Sequence, residues 1–241
     1  MPEGHLLHHH ARRHRAELVG AAEVTSPQGR FDAERVQGRL VDVDVHGKHL
    51  FHLWDDGAVV HVHLGKRGLF LEAAPPAAEP RPQVRMRVVG PRLVCDLIAP
   101  MVCELTDAGG QSAIVQGLGP DPLRPDADRE AALDAIGRTS RAIGTVLLDQ
   151  SVLAGVGNAL RADGLNLAGI HPATPASSLE PSELEHLWDV LTDLMRRSAE
   201  DGRIPHTVYR QDRCTRCGTP VVTSDVGGRT AYHCPRHQPV R

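Results

Sequence analysis

The chain has 241 residues, 41% of them apolar and only 3% aromatic, with a formal net charge of −3. That length buries a real core in one large domain or two small ones, and the apolar share excludes a disordered chain. No apolar run reaches the length of a membrane span and the start lacks a signal-peptide stretch, so a cytoplasmic protein that contacts no membrane is expected.

The chain opens MPEGH. Removing the initiator methionine would leave Pro2 as a free secondary amine with the carboxylate of Glu3 beside it. Taken alone, the pair reads as a polar helix start, because proline fits a first helical turn and an acid suits that end of the dipole. Residues 3–18 follow as a predicted helix, with Leu6, Leu7, Ala11 and Leu18 among its apolar positions. From Gly20 to about Thr106 the pattern changes to short alternating runs: RLVDVDV, KHLFHLW, AVVHVHL, VRMRVVG and RLVCDLI. Period-two runs broken by Gly, Pro and Asp-Asp-Gly turns predict a β-sandwich or barrel. Residues 73–82 (AAPPAAEPRP) read as a mobile surface loop, and Cys95 and Cys103 as buried small hydrophobes.

A domain boundary is predicted near residues 107–128, after which the period becomes helical through REAALDAIGR and RAIGTVLLDQ. Residues 147–172 show two helical patterns separated by Ala154-Gly155-Val156-Gly157-Asn158. Glycines there let the backbone approach a ligand closely, and N–H groups entering a helix make an anion site. Asn158 either caps that helix or donates its side-chain amide to phosphate. A long amphipathic helix comes next, with Leu184, Leu187, Trp188, Leu191, Leu194 and Met195 on one face. That face reads as core.

The C-terminus runs RCTRCGTPVVTSDVGGRTAYHCPRHQ, placing Cys214, Cys217, Cys234 and His237 as two ligand pairs. The spacing and thiolate-rich set predict one structural zinc ion with all four positions filled by protein. Between the pairs, two short strands and the turn Asp225-Val226-Gly227-Gly228 predict a hairpin with Arg229 at its tip, suited to gripping phosphate. From Arg203 onward seven arginines face two acids, a local basic footprint on a mildly acidic chain.

The order of these features resembles the Fpg/Nei family of bifunctional DNA glycosylases along essentially the whole chain. MPEGH and SPQGRF are similar to the actinobacterial endonuclease VIII (Nei) branch. The resemblance implies an α+β, two-domain fold. It has an N-terminal helix with an antiparallel β-sandwich, then a helical domain with a helix–two-turns–helix motif and a zinc-finger β-hairpin. The expected divisions are 1–110, 111–202 and 203–241. The resemblance makes Pro2 the nucleophile at C1′ of a damaged nucleotide, Glu3 the acid/base residue and Lys48 (in HGKHLF) a strand lysine reaching the sugar-phosphate. It makes Asn158 and Arg229 phosphate grips, with Gly155 and Gly157 beside them. Taken by itself, Lys48 reads as an exposed strand lysine.

Five positions depart from the family pattern. Lys66 and Arg67, in HLGKRG, occupy a loop where the family places a Met or Leu wedge, and both are candidate DNA contacts. Asp163 stands where a glutamate is usual, one methylene shorter, which predicts a weakened contact. Gly144 stands where the Fpg branch has a lysine used with oxidised purines, which favours oxidised pyrimidines. His237 replaces a fourth cysteine. The implied activity is a DNA glycosylase/abasic-site lyase acting by β,δ-elimination on double-stranded damaged DNA, as a monomer. The alternative is a lyase-only or non-catalytic relative that binds damaged DNA, motivated by Lys66 and Arg67. An RNA- or ribosome-binding module would share the basic C-terminus but gives no reason for Pro2-Glu3 together with Lys48.

Overall fold

The computed structural model describes residues 2–21 and 23–240, so Met1 and the question of its removal lie outside the described residues. Among the described residues the chain divides into two compact units, one of Pro2 and the residues between 6 and 117, the other of residues 3–5 and 118–240.

In the first unit, helix α1 (Gly4–Glu17) enters from residue 6 and buries Leu7 and Ala11. The strands are β1 (Glu23–Thr25), β2 (Leu40–His46), β3 (His49–Trp54), β4 (Val59–His63), β5 (Leu69–Ala73), β6 (Val84–Val89), β7 (Val94–Ile98) and β8 (Val102–Thr106). They form two four-stranded antiparallel sheets, ordered β1-β6-β7-β5 and β2-β3-β4-β8. Alternation puts one set of side chains inward: Val43, Leu50, Val62, Phe70, Met86 and Leu97 belong to a single core between the sheets. This is the β-sandwich the period-two runs anticipated. Three strands escaped that reading: β1 has three residues, while β5 and β8 bury few of their side chains fully. Cys95 lies in the core, whereas Cys103 is half-buried against it. The unit closes with α2 (Ala108–Gln116), capped by Asp107, whose side chain accepts from the Gly110 N–H at 2.9 Å. Its two early glycines hide it from a periodicity reading.

The second unit contains α3 (Arg129–Gly137), α4 (Ile143–Val146), α5 (Asn158–Ala168) and α6 (Pro181–Asp201), then the hairpin β9 (Val222–Asp225) and β10 (Thr230–His233). α6 begins with a capping box between Glu180 and Glu183 and with Pro181 in its first turn, and its predicted apolar face is buried. Ile136, Ile143, Leu160, Leu165, Leu187 and Leu191 share one core. The helical pattern expected over residues 147–153 does not form; α4 stops at Val146 and the chain proceeds through turns. Asp149 is the reason. Its carboxylate accepts from the N–H and hydroxyl of Ser151 and from Arg141, and side-chain bonding of this kind competes with a continuing helix. Among the described residues no helix is long and apolar enough to cross a membrane.

Candidate functional site

Glu3, expected at an ordinary helix start, is 1% exposed. Its carboxylate accepts from the backbone N–H of Gly157 at 3.1 Å, Ala159 at 2.8 Å and Leu160 at 3.0 Å. These donors are the unpaired amides at the start of α5, where the helix dipole also favours a negative charge. Gly157 makes the approach feasible, since a Cβ there would collide with the Glu3 carboxyl carbon. Its φ of −119° is open to any residue, so the glycine answers to the carboxylate and not to backbone strain.

The same geometry corrects the expected anion site. The N–H of Gly157 is taken by Glu3, and that of Gly155 by Gln150 Oε1 at 3.1 Å. Both amides thus serve the chain's own acceptors. Asn158 does not cap α5 either; Gly157 is the cap residue. Its side-chain amide instead donates to the Thr230 carbonyl at 3.0 Å, reaching the C-terminal hairpin.

Arg161 is the most informative residue absent from the sequence reading. It is fully buried. Its guanidinium donates to the carbonyls of Gly144 at 3.1 Å and Thr230 at 2.8 Å, to Asn158 Oδ1 at 2.5 Å and, more weakly, to Val226 at 3.4 Å. Burial, reinforced by the nearby Arg229 guanidinium, pulls its pKa down to about 10, still charged at neutral pH. One arginine thus ties α5 to both sides of the hairpin turn. A charged residue on a helix face with apolar neighbours gives no periodic signal.

The hairpin turn has φ of 66° at Gly227 and 73° at Gly228, which two-residue turns of the I′ type require. The turn is closed by Val226 N–H to the Arg229 carbonyl at 3.0 Å. Arg229 follows it as an exposed side chain. Gly144 packs so closely that a Cβ would lie 2.8 Å from the Pro172 carbonyl oxygen.

The contact expected to be weak at Asp163 is saturated. One oxygen accepts from the backbone N–H groups of Thr207, Val208 and Tyr209 at 2.8–3.0 Å, and the other faces His206 Nδ1 at 2.7 Å. The aspartate is fully buried, so the shorter side chain fits the distance available.

Ligand atoms of Cys214, Cys217, Cys234 and His237 lie within 4.8 Å of one another, a metal-binding cluster. The donor set fits a thiophilic ion: Cys217 and Cys234 sulfurs are 3.6 Å apart, and His237 Nε2 is buried without a hydrogen-bond partner. A tetrahedral ion with bonds of about 2.3 Å to sulfur needs a sulfur–sulfur edge of about 3.8 Å.

In the first unit, Pro2 is half-buried. Lys48 does not sit in a strand; with Gly47 (φ 59°) it forms the two-residue turn between β2 and β3 and is half-buried. Histidines surround that turn. His49 Nδ1 meets His61 Nε2 at 2.9 Å, and His61 Nδ1 meets Glu104 at 2.8 Å. Burial, then His63, His61, His46 and Lys48, push the His49 pKa down to about 3; burial and Lys48 also lower that of His63. The alternating VHVH of β4 was the visible signal, since period two puts His61 and His63 on one face. Lys66 and Arg67 are exposed on a tight turn closed by Gly68 N–H to the Leu64 carbonyl at 2.9 Å. Beside them stands Met101, 67% exposed, its Cβ 2.7 Å from where a Gly65 Cβ would be. Sequence reasoning missed it because an exposed methionine between two strands has no pattern.

Comparison with known proteins bears on this arrangement. Residues 118–209 match the family described as the formamidopyrimidine-DNA glycosylase H2TH domain. Over 98% of both chains the sequence is 40% identical to the protein named Endonuclease 8 1 of Mycobacterium tuberculosis. The chain belongs to the Fpg/Nei family of bifunctional DNA glycosylases. A second relative, named Probable endonuclease 8 2, of Streptomyces coelicolor, is 33% identical over 99% of this chain and 94% of its own. The fold also matches the Lactococcus lactis formamidopyrimidine-DNA glycosylase, solved bound to DNA containing an abasic site. The TM-score is 0.82 at 21% identity, covering 99% of this chain and all of that one.

Two outcomes follow. Gly157→Ala displaces the Glu3 carboxylate without straining the backbone; with the acid/base role that the resemblance implies for Glu3, base excision falls by roughly 10²-fold. DNA binding measured alongside holds within a few-fold; equal losses in both would mean the helix start itself had collapsed. The second outcome concerns acid. His49 and His63 have folded-state pKa values below their unfolded values, so the unfolded chain binds their protons first. Their contribution is complete above about pH 6.5 and is lost as pH falls, each with a slope of up to about 1.4 kcal/mol per pH unit. The melting temperature therefore drops between about pH 7 and pH 5, a range above most carboxylate titrations; a flat profile there would contradict the lowered pKa values of these two half-buried histidines.

Proposed function

We propose that this chain removes oxidised pyrimidines from double-stranded DNA and then cuts the strand, with the amine of Pro2, freed of Met1, as nucleophile. The amine attacks C1′ of the damaged nucleotide, the glycosidic bond breaks and the base leaves with a proton. A secondary amine becomes a cationic iminium, which acidifies the C2′ proton; loss of that proton expels the 3′ phosphate. A second elimination expels the 5′ phosphate, and water hydrolyses the imine to regenerate Pro2. An α-amine in an unfolded peptide titrates near about pH 8, which leaves a usable neutral fraction at cellular pH. Glu3 exchanges protons with the opening sugar, and Lys48 reaches the sugar-phosphate beside His49 and His63, whose pKa values burial lowers. Asn158 and Arg229 grip phosphates while the nucleotide is extruded, a step required because C1′ is inaccessible in a stacked duplex.

The observation that carries this reading is the anchored Glu3 carboxylate, which a plain helix start has no need of. The likeness to proteins named endonuclease 8 supports the pyrimidine preference, as does Gly144, where no side chain fits. The Cys214, Cys217, Cys234 and His237 cluster holds one structural zinc ion, which with four protein ligands supplies rigidity to the hairpin and no reacting water. The enzyme acts as a monomer on DNA in the bacterial cytoplasm.

The exposed Lys66 and Arg67 favour a second reading, a lyase without base recognition, since cations are poor wedges. Met101 weighs against it, because it offers an apolar side chain beside them that can fill the gap left by a flipped base. Borohydride trapping of the methionine-free protein separates the readings. Duplexes carrying 5-hydroxyuracil and abasic sites both become covalently attached, 8-oxoguanine less so, and blocking the Pro2 amine abolishes attachment. Attachment to abasic DNA alone would establish the lyase-only reading, and none at all would remove Pro2 from the chemistry. Met101→Ala lowers excision of the damaged pyrimidine by about tenfold, or ~1.4 kcal/mol, with abasic-site cleavage nearly unchanged; an equal fall in both would exclude a wedge.

A further inference from the structure

The first unit carries a second group of ligand-type side chains that the proposed reaction does not use. His10 and His14 are one turn apart on α1, so both imidazoles leave the same helix face. They meet Glu72 of β5: His10 Nδ1 lies 2.5 Å and His14 Nε2 3.3 Å from the same oxygen, Oε1. The three ligand atoms fall within 4.8 Å of one another. The remaining atoms of the set are engaged from outside. Glu72 Oε2 pairs with Arg13 Nε, and His14 Nδ1 meets His52 Nε2 at 3.0 Å. Outer contacts of this kind orient metal ligands and fix the tautomer of a ligating histidine.

The surroundings suit a small ion with one accessible edge. The His14 side chain is fully buried, while those of His10 and Glu72 are 12% and 10% exposed. Cys95, the register partner of Glu72 across β5 and β7, brings its sulfur to 3.3 Å from His14 Nε2.

We infer that His10, His14 and Glu72 form a second metal site, for a divalent first-row transition ion of the zinc class, with a coordination position left for water. Two imidazoles and one carboxylate match the nitrogen and oxygen preference of such ions, whereas magnesium and calcium require oxygen-rich sites. Bonds of about 2.0–2.1 Å in a tetrahedron set nitrogen–oxygen edges of about 3.3 Å. The His14–Glu72 pair already has that separation, and the His10 imidazole has to withdraw by less than an ångström. The ion is met by the lone pairs of His10 Nδ1 and His14 Nε2, so a proton facing Glu72 moves to the other nitrogen of its ring, where on His14 it is donated to His52 Nε2. Bound there, it staples α1 to β5.

The test uses the full chain with its C-terminal cluster zinc-loaded, titrated with cobalt(II). One further equivalent binds, giving visible d–d absorption without the strong near-ultraviolet thiolate band that exchange into the cysteine cluster would produce. His10→Ala and Glu72→Gln each weaken this uptake by at least about tenfold, while zinc content stays at one per chain. The paired replacement His8→Ala and His9→Ala leaves it intact. Uptake of no second ion would overturn the site. So would uptake unaffected by His10→Ala and Glu72→Gln, or uptake lost with His8 and His9, which would assign it to the histidine run on the helix surface.

Discussion

The start of α5 depends on the carboxylate of Glu3. A helix N-terminus presents amides that its own backbone cannot satisfy, and burying them without an acceptor costs more than any one hydrogen bond returns. Here the acceptor comes from the far end of the sequence, and three backbone donors hold it. The arrangement binds both partners. The helix gains the anion its dipole favours, and a side chain with several rotatable bonds loses its freedom. A carboxylate whose orientation is fixed in advance carries no reorganisation cost when it acts.

Beyond its first turn, α5 acts as a polar hub. Arg161, Asp163 and Asn166 are each fully buried, and each addresses a different segment. Arg161 holds the hairpin turn, Asp163 gathers residues 206–209, and Asn166 donates to Gln238 at 3.0 Å. Gln238 in turn accepts from the Cys234 N–H and donates to the Ile170 carbonyl. Such groups are expensive to bury singly and tolerable when most of their polar atoms find partners, as both terminal nitrogens of Arg161 do. The metal cluster therefore rests on α5 through side-chain bonds as well as through its own ligands, and the setting of Arg229 follows from Arg161 and the Gly227-Gly228 turn.

What the sequence displayed was whatever follows a simple rule. Period two revealed β2, β3, β4, β6 and β7; the buried face of α6 obeyed the helical period, and the cysteine spacing delivered the metal cluster. Other features depend on partners distant in sequence and carry no local pattern. β5 and β8 alternate weakly because few of their side chains enter the core. The stretch after α4 has helical composition but turns under the control of Asp149. Lys48 looked like a strand residue because the run KHLFHLW includes it, yet the strand opens one residue later than the run suggests. The amides of Gly155 and Gly157 looked free because their acceptors, Gln150 and Glu3, could not be identified without the fold. Family resemblance supplied roles for Pro2 and Glu3, whereas Arg161 and Met101 emerged only from their surroundings.

The crowding at Gly144 leaves that position no latitude. A side chain added there meets the Pro172 main-chain oxygen, and a backbone atom cannot step aside as a flexible side chain would. The carbonyl of the same residue is also an acceptor for the buried Arg161. Any side chain placed at position 144 would therefore disturb the segment at 172 and the arginine clamp together, so one small residue guards two contacts at once.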